Sequence, residues 1–278
     1  MRAVHPLVAP GVRFLRLVGA EPWQVVVSHG VLGVAAAVLV ATPAPGAWVA
    51  AAVLLQVRTL LDNLDGALAR VTGRVTELGR YLDTGVDFLV NACLFVALAF
   101  QGPVVAAACA FLVLTFVLSY DFNAERLYRE AHGETAAAPP APGPSQSDSP
   151  APRPAPGWTA PRPAPGSPAL RAFRGLYTTL LAPQDRVVRG LERRLLESAA
   201  EAPLEKVSAE KRRSWWGIGS TAALVNLGLS TQHLVLGVCL VVGKPFAYVW
   251  LVLAQGVYLV IVLSLRYLLH RRRWRSAT

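Results

Sequence analysis

Six apolar stretches constrain what this chain can fold into more than any other feature. Crossing roughly 30 Å of hydrocarbon takes about 20 predominantly apolar residues, a few fewer where the ends snorkel. Such stretches run approximately over 23–42, 46–61, 84–101, 103–120, 215–242 and 245–266. In lipid, backbone polar groups must be satisfied within the segment or against a neighbour, so these runs predict an all-α, polytopic membrane protein with six transmembrane helices. The composition agrees, since 54% of the residues are hydrophobic, more than a soluble domain usually carries. Cys93, Cys109 and Cys239 all lie in apolar runs. They show no paired spacing that would argue for a disulfide framework or a zinc site.

Charge orients the spans. With the N-terminus inside, the outer turns are TPAPG, QGP and GKPF, and of 27 Lys and Arg residues only Lys244 lies outside. Arg58, Arg70, Arg74 and Arg80 then fall on the inner side, as does the tail RYLLHRRRWR. This predicts cytoplasmic termini and a long cytoplasmic loop between the fourth and fifth helices. Five segments follow. Residues 1–22 read as a retained interfacial segment, 23–133 as four spans, and 134–168 as a Pro/Ala-rich linker in which APRPAPG occurs twice. A sequence of that composition builds no core and is expected to be disordered. Residues 169–214 regain helical periodicity, with Leu176, Leu180, Val187, Leu191 and Leu195 set between arginines. They predict cytoplasmic amphipathic helices, either lying on the membrane surface or forming a small cytosolic hairpin. Residues 215–278 complete the fifth and sixth spans and a basic tail. The excess of Arg, Ala and Pro is an association with GC-rich bacterial genomes, and with the topology it points to a bacterial inner membrane.

The stretch LDNLDGALARVTGRVTELGRYLDTGVD, residues 61–87, sets four aspartates beside this apolar sequence. Unpaired charge is expensive there. If the second span continues as a helix, Asp62, Asp65, Gly66 and Ala69 share one face, and Thr76, Gly79, Asp83 and Asp87 form a stripe on the next helix. Helices joined by a short turn are antiparallel neighbours, so the two stripes meet. Four close carboxylates repel, and a hard divalent cation removes the conflict, with all-oxygen ligation selecting Mg²⁺, Mn²⁺ or Ca²⁺. Gly66, Ala69 and Gly79 leave room for a bulky ligand, and Arg70 offers a fork for phosphate. For any single aspartate a salt bridge is the plainer role, but the alignment with glycines on two helices argues for a metal-bound phosphate site.

Residues 62–87 read D-x2-D-G-x2-A-R-x8-G-x3-D-x3-D without a gap. This resembles the signature of the CDP-alcohol phosphatidyltransferases, six-span membrane enzymes. The resemblance implies that Asp62, Asp65 and Asp83, with Asp87 nearby, hold Mg²⁺ or Mn²⁺ on the pyrophosphate of a CDP-lipid such as CDP-diacylglycerol. Gly66, Ala69, Arg70 and Gly79, with Thr76, would contact the cytidine nucleotide. Asp87 would be the general base on a small alcohol acceptor, and CMP would leave. It further implies a homodimer among membrane lipids, with the site facing the cytoplasm; no nucleic-acid partner is expected.

The sequence departs from relatives in two places. At the end of the fourth span, where relatives using phosphorylated acceptors carry basic residues, it reads SYDFNAERLYREAHGE, with Asp121 and Asn123 first and Arg126 and Arg129 later. The start of the first span, EPWQVVVSHG, has Pro22 followed by Trp23 rather than Asn. Asn226, Ser230, Thr231, Gln232 and His233 interrupt the fifth span, either lining a pocket or bonding between helices. Three rivals compete: transfer from a CDP-choline-type donor to diacylglycerol, a divalent-cation transporter, and a catalytically idle scaffold. All 17 acidic residues are assigned to the cytoplasmic side, which counts against conduction, and an intact motif counts against idleness.

Overall fold

The computed structural model describes residues 5–133 and 168–276. The linker expected at 134–168 lies outside them apart from Pro168, and its conformation is not described. Helices α1 to α5 span His5–Leu17, Pro22–Ala41, Pro45–Thr72, Glu77–Ala99 and Val104–Ala131. Helices α6 (Pro168–Leu176) and α7 (Ala182–Ala200) are joined by one π-turn over Tyr177–Leu181. Then come α8 (Ala209–Trp215), α9 (Ile218–Val225), α10 (Leu229–Val241) and α11 (Ala247–Arg275). No strand occurs among the described residues. Among the described residues, six segments are long and apolar enough to cross a membrane: α2, α3, α4, α5, the α8–α10 series and α11.

Several helices outrun their hydrocarbon-length expectations. The second span was bounded at 61, and α3 runs on to Thr72, ending where Gly73 adopts φ 66°, a left-handed cap that suits glycine. The fourth and sixth continue to Ala131 and Arg275. Beyond the apolar run, paired charges sustain the helix of α5: Arg126 bonds Glu130, and Arg129 bonds Glu125, each four residues apart.

The chain divides into two compact units. The first holds α1–α4, α6 and the stretch His233–Tyr248. Here α2 packs along both α3 and α4. Its close approach depends on small residues: a Cβ on Gly30 would lie 2.8 Å from Val86 Cγ1, and one on Gly33 2.6 Å from Val90 Cγ1 and 3.0 Å from Arg58 Nε. Val90 and Arg58 are wholly buried and have nowhere to retreat. Gly33→Ala is therefore expected to cost about 1–3 kcal/mol through overpacking, read as a lower unfolding temperature in detergent. The N-terminal segment forms α1, whose Val12 packs with Val25, Leu64 and Leu68, while Phe14 and Leu17 stay exposed. Helix α6 reaches α4, and the Tyr81 and Tyr177 rings sit 5.5 Å apart.

The second unit comprises most of α5, α7–α9 and α11. The arginine-laced stretch expected at a membrane surface or in a cytosolic hairpin buries Val188 and Leu196 in protein, while Leu180 and Val187 of the expected apolar stripe stay exposed. Val188 joins Val117, Tyr120, Ala124, Leu224, Leu259 and Leu263, and Leu196 joins Trp215, Trp216 and Trp274. Buried Glu192 on α7 accepts from both indoles, Trp215 Nε1 and Trp216 Nε1, at 3.0 and 3.1 Å, and pairs with buried Arg266. Removing either charge would strand the other.

The fifth apolar stretch, read as one long span, is broken at Trp216–Gly217 and at Asn226–Gly228. Gly217 is extended at the head of α9, and Ser220 Oγ donates to the carbonyls of Trp215 and Gly217. At the second break, Gln232 Nε2 donates to Leu227 O at 2.8 Å and also meets Gln255 Oε1 at 2.7 Å. Side chains thus recover carbonyls that the breaks release, as broken helices in apolar surroundings require. Gln232→Leu is expected to lower stability by about 1 kcal/mol, measured by thermal unfolding.

Candidate active site

The site is assembled in the first unit from the C-terminal part of α3, the first turns of α4 and the middle of α2. On α3, Asp62 and Asp65 stand one turn apart, and on α4, Asp83 and Asp87 stand one turn apart. Asp62, Asp65 and Asp83 converge with His29, each offering one ligand atom, all within 4.8 Å of one another. His29 Nε2 lies 3.1 Å from Asp65 Oδ2, 3.6 Å from Asp83 Oδ1 and 3.9 Å from Asp62 Oδ1. His29 is completely buried and Asp65 nearly so.

Three carboxylates brought together from two helices fit a hard divalent cation by donor type. Asp83 Oδ1 adds to the fit: it is a buried oxygen with no hydrogen-bond donor among the described residues. The His29 imidazole and the Arg58 guanidinium lie beside these carboxylates.

Asp87 stands apart from that ring of ligand atoms. It pairs with Arg58 Nη2 through Oδ1, and its Oδ2 takes no hydrogen bond from a described residue. Arg58 was counted with the inner-side charges that set the topology, yet its side chain is fully buried within α3. Arg58 Nη1 faces the ring of His233, 3.1 Å from Nδ1. Thr59 Oγ1 meets the same nitrogen at 3.1 Å, and Gln56 Nε2 donates to the His233 carbonyl at 3.2 Å. His233 thus belongs to the hydrogen-bonding network between helices, one of the two roles left open for the fifth-span polar residues. Asn226 Nδ2 donates to the Ala222 carbonyl four residues back.

The remaining motif positions flank the carboxylates. Arg70 lies over Gly66, where a Cβ would come 3.4 Å from its Nη1. Thr76 caps α4 by accepting from the Gly79 amide at 3.0 Å, a local role beyond that assigned from the motif. A Cβ on Gly79 would press on the same Thr76 oxygen at 3.0 Å.

His29 and Arg58 are the two members that sequence reasoning missed. Each is an ionisable residue within an apolar run, which is the available signal. Both lie before the motif, and their convergence depends on packing between helices.

Residues 22–141 match the family model for CDP-alcohol phosphatidyltransferase. Over 88 residues the chain is 39% identical to an archaetidylinositol phosphate synthase of Pyrococcus horikoshii, covering 32% of this chain and 45% of that protein. Over 53 residues it is 45% identical to an archaetidylinositol phosphate synthase of Aeropyrum pernix, covering 18% and 27%. It is 42% identical over 78 residues to a phosphatidylinositol phosphate synthase of Cutibacterium acnes, covering 25% and 38%. The matched stretches span less than half the length of each of these relatives. No solved structure matches the chain. The stretch that matches the CDP-alcohol phosphatidyltransferase family, residues 22–141, thus contains the unbroken eight-position motif and the carboxylates that the fold brings together.

Proposed function

We propose that this chain transfers a phosphatidyl-type group from CDP-diacylglycerol to the hydroxyl of a small alcohol and releases CMP. The observation that carries the reading is the convergence of Asp62, Asp65 and Asp83 at the polar ends of apolar helices. A lipid donor keeps its tails in the bilayer while its nucleotide needs a polar, charged site, and such a cage is where both requirements meet. The charge asymmetry supports a cytoplasm-facing site in a bacterial inner membrane. A homodimer is proposed from the family resemblance.

In this reading Asp62, Asp65 and Asp83 hold one or two divalent cations, Mg²⁺ or Mn²⁺, with Asp87 nearby. A bound cation supplies charge neutralisation for the donor's pyrophosphate and for departing CMP. Gly66 and Ala69 keep the α3 surface low enough for the nucleotide to approach the backbone, and Arg70 forks its phosphate. Thr76 and Gly79, as the cap of α4, border the nucleotide on the other side. Asp87 Oδ2 takes the acceptor's hydroxyl proton while that oxygen bonds to the lipid-bearing phosphorus. The bond from this phosphorus to the bridging oxygen breaks, and CMP keeps the electron pair. Arg58, holding the other Asp87 oxygen, orients the base toward the acceptor.

The named relatives direct attention to inositol phosphate as an acceptor. In this chain Arg126 and Arg129 at the end of α5 are engaged by Glu130 and Glu125, and Asp121 precedes them. An unphosphorylated alcohol therefore belongs in the test beside a phosphorylated one. Purified protein in detergent, supplied with Mg²⁺ and CDP-diacylglycerol, should release CMP only when one of serine, glycerol 3-phosphate, inositol 1-phosphate, inositol or phosphatidylglycerol is added. Silence with all five, but turnover of CDP-choline or CDP-ethanolamine with diacylglycerol, would reverse the assignment of lipid and soluble substrate.

A further inference from the structure

We propose that His29 ligates the divalent cation of this cage through Nε2, and that it biases the site toward Mn²⁺ over Mg²⁺. The proposal deepens the reading of the cage as a cation site and depends on it.

A single nitrogen faces three carboxylates that reach it from two other helices, at 3.1, 3.6 and 3.9 Å. One imidazole hydrogen can satisfy one of these oxygens and leaves the others in mutual repulsion. A shared cation attracts all three carboxylates and the nitrogen lone pair together. No donor faces Nδ1, which is buried and has no hydrogen-bond partner among the described residues, so it can carry the ring hydrogen that ligation through Nε2 requires, at the cost of leaving that hydrogen unpaired. The position of the ring is built in by packing, because Gly30 and Gly33 let α2 close on Val86 and Val90 of α4. His29 is thereby carried, fully buried, to the carboxylates.

The donor set then differs in kind from carboxylates alone. Mg²⁺ holds to oxygen and water and demands near-ideal octahedral geometry, whereas imidazole favours transition metals. Replacing one oxygen donor by nitrogen moves the preference toward Mn²⁺. None of the motif positions at 62–87 encodes this, since the nitrogen comes from α2.

Pulsed electron paramagnetic resonance on the full-length protein loaded with one equivalent of Mn²⁺ tests the assignment without reference to turnover. The wild type should show coupling to a directly bound ¹⁴N, replaced by ¹⁵N coupling when histidine is isotopically labelled. His29→Gln should abolish it and weaken Mn²⁺ binding by about tenfold or more, the scale on which even outer-shell ligand partners count, with a smaller loss for Mg²⁺. His233→Gln should retain the coupling. Bound Mn²⁺ without histidine coupling, or coupling that survives His29→Gln, overturns the proposal and leaves the enzyme reading standing. Failure to bind Mn²⁺ at all overturns both. Should His29→Gln fail to fold, His5, His132, His233 and His270 are replaced singly: coupling kept in all four assigns it to His29, and loss in any one overturns the assignment.

Discussion

Asp87→Asn is expected to lower CMP release by about 10²–10⁴-fold, the range that general-base removal commands, while the protein still binds its divalent cation. The split follows from the geometry. Asp62, Asp65 and Asp83 lie together with His29, whereas Asp87 pairs with Arg58 through one oxygen, and its other oxygen takes no hydrogen bond from a described residue. Asp83→Asn should act differently, reducing cation affinity and activity together, because it removes a ligand. Calorimetric titration of Mn²⁺ into each variant, beside its turnover, separates the two. If Asp87→Asn loses the cation as completely as Asp83→Asn does, Asp87 is a principal ligand and its role as base has to be reassigned.

Arg58→Met carries the largest expected effect on stability. A guanidinium with no exposed surface is held by Asp87 and by the His233 ring. Truncating it leaves the carboxylate of Asp87 without its counter-charge. Breaking a buried pair in this way costs about 3–5 kcal/mol, and the lower end applies because the Asp87 side chain keeps 23% of its exposure. Two further outcomes distinguish lost charge pairing from lost packing. Arg58→Met combined with Asp87→Asn should recover much of the stability, since no carboxylate is then stranded. Added Mn²⁺ should raise the unfolding temperature of Arg58→Met more than that of the wild type, since the cation supplies positive charge beside Asp87. A variant as stable as the wild type would show that the pair contributes nothing net.

The same residues show how much of the site the sequence discloses. Helical spacing alone places Asp62 with Asp65 and Asp83 with Asp87, because positions three or four apart share a face whatever the helix packs against. It cannot say which carboxylates meet across the interface. That depends on where α2 closes against α3 and α4, a distance set by Gly30 and Gly33. For this reason EPWQVVVSHG shows no role for His29, and Arg58 reads as a topological charge although the helix carries it inward. The span pattern was legible because apolar length is a one-dimensional property. The breaks in the fifth stretch were less so: Asn226 shows as a polar interruption, but hydropathy marks neither it nor Gly217 as a helix end, and Ser220 and Gln232 repair the exposed carbonyls through contacts that appear only on folding.

The most direct test of the central claim is a stoichiometric one. Protein stripped of divalent cations by chelation is mixed with CDP-diacylglycerol and the acceptor selected from the panel, and CMP and lipid product are quantified together before and after Mg²⁺ or Mn²⁺ is restored. The account predicts no product from the stripped protein, and one CMP per molecule of new phospholipid once the cation returns. Unchanged turnover after chelation, or CMP matched only by phosphatidate from attack by water, would contradict it.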